Sequence, residues 1–513
     1  MAQNKVLIID FGSQLTQVIA RRIREIGVYT EIKSSNISKE EISTYKAIIL
    51  SGGSMSVYDQ NAPQISPFVF ESGIPVMGIC YGQQIMCHHF GGIVERGNVR
   101  EFGRAHISVL ENDTLFDQCY DVQGKYQVWM SHSDLISKLP DKFKALAQSE
   151  HSPYAIIKHE SRDLYGLQFH PEAFHTPDGV SLLRNFVINI AKCDRDWSMG
   201  QFLHNQITSI KSHIGTNKVA CAVSGGVDST VVAKILHEAI GNNLHCIFIN
   251  NGLLRHNEHI EVKETLEQKL GLQIHCVDAS DQFLSALKGI TDPERKRKII
   301  GKTFIDVFQE KISSIGNISH LAQGTIYPDI IESSSTIGAA AIKSHHNVGG
   351  LPKNMYGLKI IEPIKNLFKD EVRQLGKELG IDEHFLKRHP FPGPGLAIRI
   401  IGEITKGKCD LLRQIDHIYI QALKQWKLYD NVWQAYAALL PIQSVGVMGD
   451  GRTYQSACSL RAVTSTDGMT ADFVDLPHAF LSEVTSKIIN NVHGVNRVFY
   501  DITSKPPSTI ELE

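Results

Sequence analysis

The segment that constrains the fold most runs from Val219 to Thr230 and reads VACAVSGGVDST. Its apolar half predicts a buried strand, and the Ser-Gly-Gly turn leads into a helix that opens at Asp228. Because the N–H groups and the dipole at a helix start attract anions, we expect a phosphate site here. The Gly-Lys-Ser/Thr ending of a Walker A loop is missing. Taken alone, the segment also fits an ordinary glycine turn between a strand and a helix.

The string SGGVDS at residues 224–229 resembles the pyrophosphate loop of ATP pyrophosphatases, which cleave ATP to AMP and pyrophosphate. Serine hydroxyls and an aspartate carboxylate suit a site that holds phosphates and Mg²⁺. The resemblance implies a magnesium ion near Asp228. The ATP-binding residues that it implies are Ser224, Gly225, Gly226, Val227, Asp228 and Ser229.

The composition limits the classes of protein to which this chain can belong. The chain has 513 residues, which suggests three domains. Its net charge of −2 gives no sign of a nucleic-acid or membrane surface, and no uncharged apolar run is long enough to span a bilayer. The nine cysteines occur singly, which argues against a zinc ribbon or a disulfide framework and favours a cytoplasmic protein. The amino terminus enters a strand directly, so we expect no signal peptide.

Strands and helices alternate through residues 1–195 and again through residues 196–388. This alternation predicts two parallel, doubly wound sheets with ligands at the carboxyl ends of their strands. A Pro- and Gly-rich stretch, HPFPGPG at residues 389–395, cannot be helix or central strand and marks a boundary. Residues 389–513 then predict a small α+β domain. The predicted fold class is therefore α/β, with two doubly wound domains and a small C-terminal α+β domain.

Cys80 lies between Gly78 and Gly82 at the end of a predicted strand, with a helix after it. This is the pattern of a nucleophile elbow, and a helix start favours the thiolate form of cysteine. His170 ends another predicted strand, and Glu172 follows where it can orient the imidazole. Each feature alone also fits a core cysteine or a structural histidine. Together they predict a nucleophile, a base and a carboxylate.

With the Gly52-Gly53 turn, these elements resemble class I glutamine amidotransferases, whose pattern includes SGGP-like, GxCxGxQ and HPE elements. The resemblance implies that Cys80 attacks the side-chain amide of glutamine and forms a thioester. It implies that His170 protonates the leaving ammonia and then activates water, while Glu172 holds His170.

The same resemblance implies an oxyanion hole from the backbone N–H groups of Gly53 and Tyr81, and a glutamine-binding role for Gln84. The string SHSD at residues 131–134 resembles a substrate-side loop of these domains. Ser54 stands where many members have proline.

Several features of the second segment suit ATP chemistry. We expect the end of the strand at Asn250 to contact the edge of the adenine ring. The basic run at residues 292–298 fits a solvated helix face better than a binding site. Two carboxylates near a turn, Asp329 and Glu332, suit an Mg²⁺ or substrate site, and one interpretation of the cationic stretch before Gly349-Gly350 is a mobile loop over departing pyrophosphate. A zinc site is less favoured there, because adjacent histidines without further ligands are a weak metal signal. The resemblance to ATP pyrophosphatases implies that the lid residues are Asp329, Glu332, Lys343, His345 and His346.

The order of the three parts, and the C-terminal strings HPFPGPGLAIR, SVGVMGDGRTY, SLRAV and KPPSTIE, resemble the glutamine-hydrolysing GMP synthases along essentially the whole chain. That resemblance implies XMP, ATP and glutamine as substrates, Mg²⁺ as cofactor, and a homodimer formed by the last domain. Asn250 and Leu512 depart from the family pattern, which has Asp and Trp there. The XMP-binding residues that it implies are Arg297, Gln434, Arg497, Lys505, Ile510 and Glu511.

The sequence leaves two other functional interpretations open. The same loop occurs in NAD-synthase-like and tRNA-thiolating pyrophosphatases, although the neutral charge and the C-terminal strings argue against them. A non-catalytic protein that keeps the fold is disfavoured, because the nucleophile, base, carboxylate and phosphate loop are all present.

Overall fold

The structure is a computed structural model that describes residues 4–334, 357–448, 451–465 and 470–513. The chain divides into two compact units, Met1–Phe202 and Leu203–Glu513. One hydrophobic core in the second unit draws on residues from Ala220 to Val495 and thus crosses the expected boundary at residues 388 and 389. The separation of a second and a third domain at that point stays a prediction.

The first unit is built on one mixed sheet, which within the described residues has nine strands in the order β2-β1-β3-β4-β9-β8-β7-β5-β6. The strands are β1 (Lys5–Asp10), β2 (Tyr29–Ser34), β3 (Ala47–Leu50), β4 (Val76–Ile79), β5 (Ile93–Val109), β6 (Lys125–Lys138), β7 (Phe143–Ser149), β8 (Ile156–His159) and β9 (Leu164–Leu167).

Helices accompany this sheet, and the first three of them connect its parallel strands. They are α1 (Thr16–Ile26), α2 (Lys39–Ile42), α3 (Phe68–Glu71), α4 (Tyr81–His89), α5 (Gly179–Arg184) and α6 (Met199–Ile214). A π-helical stretch, Asn185–Ile190, continues α5, and a 3₁₀ turn spans Thr114–Phe116. Helix α6 begins in the first unit and ends in the second.

The predicted parallel sheet is confirmed for β2, β1, β3, β4 and β9, which pair in parallel. Four antiparallel strands, β8, β7, β5 and β6, extend it beyond the prediction. Because β3, β4 and β9 are parallel neighbours, their carboxyl ends share one edge of the sheet. Gly53, Cys80 and His170 follow those ends, so the topology gathers the predicted glutaminase residues at that edge.

The second unit contains a parallel sheet in the order β12-β11-β10-β13-β14, which confirms the second doubly wound prediction. A further sheet joins β15 to β16, and β16 pairs with β17 and β18. The strands are β10 (Lys218–Ala222), β11 (Leu244–Asn250), β12 (Ile274–Asp278), β13 (Ile318–Ala322), β14 (Lys359–Ile361), β15 (Gln434–Met448), β16 (Gly451–Thr464), β17 (Asp472–Phe473) and β18 (Val495–Tyr500).

The helices of the second unit pack on these sheets. They are α7 (Val227–Ile240), α8 (Glu258–Glu264), α9 (Ser280–Ala286), α10 (Pro293–Ile315), α11 (Tyr327–Ser334), α12 (Lys369–Glu378), α13 (Glu383–Leu386), α14 (Lys406–Gln425) and α15 (His478–Asn491). A π-helical stretch, Thr265–Lys269, continues α8, and 3₁₀ turns span Gly241–Asn243, Gly395–Ile398 and Tyr429–Asn431.

The long strand β15 corrects one prediction, because the sequence predicts two separate strands at residues 432–440 and 444–448. The structure has one strand whose pairing with β16 is interrupted between Leu439 and Gln443. Pro441 lies in this gap, and proline cannot donate a ladder hydrogen bond. In the described parts of the chain, no helix combines the length and apolar character that a membrane crossing requires.

Candidate active sites

Cys80 lies in a sharp turn between β4 and α4, with φ of 53° and ψ of −109°. A non-glycine residue with positive φ is uncommon and is characteristic of a strained, functional turn. The flanking glycines are needed for space: a Cβ on Gly78 would lie 2.4 Å from the Gly82 backbone oxygen, and a Cβ on Gly82 2.3 Å from the Leu50 oxygen. The predicted nucleophile elbow is therefore present.

His170 and Glu172 form a buried pair beside this elbow. His170 Nδ1 lies 2.8 Å from Glu172 Oε1, and the two residues are 4% and 1% exposed. Burial lowers the pKa of His170, but the charge of Glu172 and hydrogen bonds to Cys80 and Glu172 outweigh it and raise the pKa to about 10. The ring therefore keeps a proton next to the Cys80 sulfur.

Strand β6 fixes the loop that carries His170. The backbone N–H of His170 donates to the Trp129 oxygen at 2.9 Å. The Thr176 hydroxyl donates to the His170 oxygen at 2.8 Å and accepts from the Trp129 N–H at 3.0 Å. The base is thus held by backbone contacts on both sides, and Thr176 is a supporting residue that the sequence reasoning missed.

The remaining predicted glutaminase residues adjoin the elbow. A Cβ on Gly53 would lie 3.2 Å from the Tyr81 ring, so these two predicted oxyanion residues are neighbours. Gln84 donates to the backbone oxygen of Asp134 at 2.8 Å, and Cys80 Sγ lies 3.7 Å from the Ser131 oxygen. Residues 131–134, which we expected as a loop, lie within β6 and border the nucleophile. The oxyanion and glutamine-binding roles stay predictions.

We expect Glu172→Gln to lower the pKa of His170 by at least about 1, because the variant removes the nearest charge that raises it. Glutamine hydrolysis should also fall by about 10²-fold or more, since the ring loses its orienting carboxylate. An NMR titration of ¹³C-labelled histidine rings checks the first effect, with His170→Gln to assign the signal. An unchanged His170 titration would show that Glu172 does not set the protonation of the base.

The predicted phosphate loop connects β10 to α7 and is closed by its own serines. The Ser229 hydroxyl accepts from the Ser224 N–H at 3.2 Å, and the Ser224 hydroxyl accepts from the Gly226 N–H at 3.2 Å. Gly225 has φ of +78°, and a Cβ there would lie 2.4 Å from a methyl carbon of Val262. A side chain at this position is therefore excluded both by conformation and by space.

Asp228, at the start of α7, is bound by a lysine that the sequence reasoning missed. Lys369 Nζ donates to both carboxylate oxygens of Asp228 at 2.6 Å. Lys369 is the first residue of α12, and it lies 141 positions away in sequence, so no local pattern indicates the contact. Gly324, after β13, also adjoins Asp228. A lysine side chain from a separate helix thus lies beside the predicted phosphate loop.

The lid predictions fall largely outside the described structure. Asp329 lies in α11, where its carboxylate accepts from the Ile326 N–H at 3.0 Å, and the backbone of Glu332 belongs to the same helix. Lys343, His345 and His346 lie outside the described residues. The other predicted ATP feature, Asn250, borders a cavity of about 460 Å³ at the ends of β11 and β12.

Three of the predicted XMP residues meet around the C-terminal segment. Glu511 accepts hydrogen bonds from Arg399 Nε at 3.1 Å and Nη2 at 2.8 Å, and a further one from Gln434. The Ile510 oxygen accepts from Arg461 Nε at 2.9 Å. Both arginines are at most 1% exposed. The sequence reasoning missed them, although an arginine inside each apolar string, LAIR and LRAV, was a visible signal.

Of the other predicted XMP residues, two also adjoin the C-terminal segment and one is exposed on β18. Arg297, on α10, donates to the Glu513 backbone oxygen at 2.6 Å. Lys505 exchanges backbone hydrogen bonds with Ala471, which packs against Ile510. Arg497 is exposed on β18 opposite Ala457. Binding of XMP by these residues stays a prediction.

Three family models match successive parts of the chain: "Glutamine amidotransferase class-I" at residues 7–190, "NAD synthase" at residues 199–303 and "GMP synthase C terminal domain" at residues 421–512. The fold and the two sites thus define a glutamine amidotransferase joined to an ATP pyrophosphatase.

Similar proteins extend over the full chain. A protein of Bartonella bacilliformis named "GMP synthase [glutamine-hydrolyzing]" is 54% identical over 511 residues, which cover 99% of this chain and 98% of that protein. Its namesake in Aquifex aeolicus is 52% identical over 515 residues and is covered completely, as is this chain. The chain belongs to the glutamine-hydrolysing GMP synthase family.

Proposed function

We propose that this chain makes GMP from XMP, ATP and glutamine, with AMP, pyrophosphate and glutamate as the other products. One observation carries the proposal: a complete Cys80–His170–Glu172 set and an SGGVDS loop occur in a chain that matches GMP synthases over 99–100% of its length. The first site supplies ammonia, and the second activates the acceptor.

The two half-reactions follow from the chemistry of the bonds. At the first site the Cys80 thiolate attacks the glutamine amide carbon, ammonia leaves with a proton from His170, and water then hydrolyses the thioester to glutamate. At the second site the C2 oxygen of XMP attacks the α-phosphorus of ATP and pyrophosphate leaves. Ammonia then displaces AMP from C2. Adenylation is needed because oxygen at C2 is otherwise a poor leaving group.

The side chains at the second site support this division of roles. Helix α7 begins within the SGGVDS loop, and a helix start attracts anions such as phosphate. Lys369 places a cation beside Asp228 at that helix start. On the acceptor side, Arg399 and Arg461 hold the backbone and carboxylate of the Ile510–Glu511 segment. We assign pyrophosphate to the loop and XMP to the surroundings of that segment.

Asp228 fits a magnesium ion that enters with ATP. Magnesium is usually held by one or two carboxylates together with substrate phosphates, and Asp228 presents a partly exposed carboxylate beside the phosphate loop. The ion would neutralise charge on the phosphates of ATP. Asp228 would hold it there, and its present partner Lys369 would be free to face the phosphates. We also place the protein in the cytoplasm, where its singly spaced cysteines stay reduced.

We further propose a homodimer formed through the outer part of the β15–β16 ladder. Val445 and Tyr454 face each other across that ladder and are 56% and 65% exposed, and Val447 is 75% exposed. Contiguous exposed apolar side chains of this kind mark interaction surfaces.

The dimer is tested by Val447→Asp combined with Tyr454→Asp, which should convert a dimeric wild type to a monomer in sedimentation velocity runs. Val122→Asp, an exposed apolar position of the first unit, is the control and should leave the mass unchanged. A wild-type protein that is monomeric at micromolar concentration would contradict the proposal.

The function itself is tested by GMP formation from XMP with glutamine or ammonia as nitrogen donor. Nicotinate adenine dinucleotide serves as the alternative acceptor, because the NAD synthase model matches residues 199–303. We expect amination of XMP alone. Amination of the dinucleotide without amination of XMP would overturn the assignment.

A further inference from the structure

A buried ionisable pair lies behind the glutaminase site, and the reaction described above does not use it. His132 Nε2 on β6 lies 3.1 Å from Glu101 Oε2 on β5, and the two side chains are 2% and 6% exposed. The residues are direct partners in the β5–β6 ladder. Buried charges are costly unless they are paired, so a pair kept at this position needs an explanation.

Both ring nitrogens of His132 face acceptors. Nδ1 lies 3.0 Å from the Asp134 backbone oxygen, and a carbonyl can only accept. Burial raises the pKa of Glu101, but hydrogen bonds from His132 and Ser149 lower it overall, so the carboxylate is ionised and accepts as well. His132 therefore bridges the Glu101 carboxylate and the Asp134 carbonyl through its two ring nitrogens.

The pair adjoins the segment of β6 that borders the nucleophile. The Asp134 oxygen accepts from His132 Nδ1 and from Gln84 Nε2, at 3.0 and 2.8 Å. At the other end of the segment, the Ser131 oxygen faces Cys80 Sγ at 3.7 Å. His132 thus shares one carbonyl with the side chain that we expect to bind glutamine.

Glu101 is itself anchored on a third strand. The hydroxyl of Ser149, the last residue of β7, donates to both Glu101 oxygens, at 3.2 and 3.3 Å. That hydroxyl in turn accepts from the Ser152 N–H at 2.9 Å. A chain of hydrogen bonds therefore runs from the β7–β8 connection through Glu101 and His132 to Asp134.

We propose that the Glu101–His132 pair is a positioning device for the glutamine site, acting through the Asp134 carbonyl and Gln84. It holds the pocket for the amide substrate and takes no part in bond making. The inference rests on the proposed glutaminase function. It predicts that loss of the contact from His132 to the Asp134 carbonyl weakens glutamine binding, whereas turnover at saturating glutamine and ammonia-driven GMP synthesis persist.

Two replacements of His132 separate its two contacts. Asparagine carries an amide nitrogen where Nδ1 lies and can still reach Asp134, whereas glutamine carries one where Nε2 lies and can reach only Glu101. We expect His132→Gln to raise the KM for glutamine about tenfold or more, because the hydrogen bond to the Asp134 oxygen is lost and that buried oxygen is left with one partner fewer. His132→Asn should stay within about threefold of wild type in KM, and both variants should stay within about threefold in kcat.

Glu101 is tested in the same way. Glu101→Gln keeps an acceptor for His132 and should change KM little, whereas Glu101→Leu removes it and should behave like His132→Gln. The two Glu101 variants test the positioning role even if His132→Gln fails to fold. Circular dichroism and thermal melting report folding in every variant, and ammonia-driven GMP formation reports an intact second unit. His159→Gln is the matched control, since His159 is buried in the same unit against Phe143 and should leave KM unchanged.

The outcomes are distinct. Equal KM values for His132→Asn and His132→Gln, with equal values for the two Glu101 variants, would overturn the positioning role. A loss of kcat with unchanged KM would overturn it too, because the pair would then act on the chemical step. A wild type that hydrolyses no glutamine would overturn the proposed function and this inference together, whereas an active wild type with unaffected variants overturns the inference alone.

Discussion

Cys80→Ala is expected to reduce glutamine-driven GMP formation on the order of 10⁵-fold or more, because no other group replaces a missing nucleophile in a triad. The same variant should make GMP from added ammonia at close to the wild-type rate, since Cys80 and Asp228 lie in different sheets and different compact units. Parallel assays with glutamine and with ammonium chloride, at a pH where free ammonia is present, measure both effects.

Cys87→Ala is the matched control for this experiment. Cys87 lies on the same helix, α4, and is fully buried, and burial raises the pKa of its thiol to about 12. It is therefore a packing residue, and its variant should keep both activities. If Cys80→Ala lost the ammonia-driven reaction as well, the assignment of two separate sites would be wrong.

Asp228→Asn is expected to reduce GMP formation about 10²–10³-fold with either nitrogen donor, which is the usual cost of losing one preorganised charge at a reacting centre. The variant removes the carboxylate that binds Lys369 and that we assign to the metal with ATP. XMP-dependent release of pyrophosphate measures the step directly. Glutamine hydrolysis at Cys80 provides the internal control for a folded first unit.

Lys369→Ala should reproduce much of this loss, because it removes the cation beside the phosphate loop. Lys377→Ala is its control: this lysine lies on the same helix, and its ion pair with Glu383 is more than half exposed, so its removal should cost little. A Lys369→Ala enzyme with unchanged pyrophosphate release would show that the contact with Asp228 is only structural.

The parts of the fold that the sequence predicts are local ones. The nucleophile elbow, the phosphate loop and the parallel strands each depend on residues that are neighbours in sequence, such as Gly78 and Gly82 around Cys80. The antiparallel strands β5–β8 were not predicted, although most of them pair with the strand next to them in the chain. Register shifts interrupt the pairing of β5 and β7 and disturb the alternation of apolar and polar residues that indicates a strand, and β6 contains the SHSD string that we expected as a loop.

The contacts that complete the two predicted sites also could not be predicted from the sequence alone. Lys369 reaches Asp228 across 141 positions, and Arg399 reaches Glu511 across 112. Such pairs produce no periodic pattern and no characteristic spacing in the sequence, because each residue alone fits a solvated helix start or a loop. One indication is present in the sequence, since a charged residue within an apolar string is expected to be buried with a partner. Arg399 and Arg461 are such residues, and both bind the C-terminal segment.

Strand β6 gives the catalytic arrangement an unusual dependence on strand register. Three backbone oxygens of β6 each contact one residue of the predicted site. The Trp129 oxygen accepts from His170, the Ser131 oxygen faces Cys80, and the Asp134 oxygen accepts from Gln84. A slip of one residue against β5 would turn every side chain of β6 to the opposite face and move all three carbonyls at once. Base, nucleophile and substrate pocket would then fail together, so correct pairing of two antiparallel strands is a condition for chemistry that takes place at the end of the parallel ones.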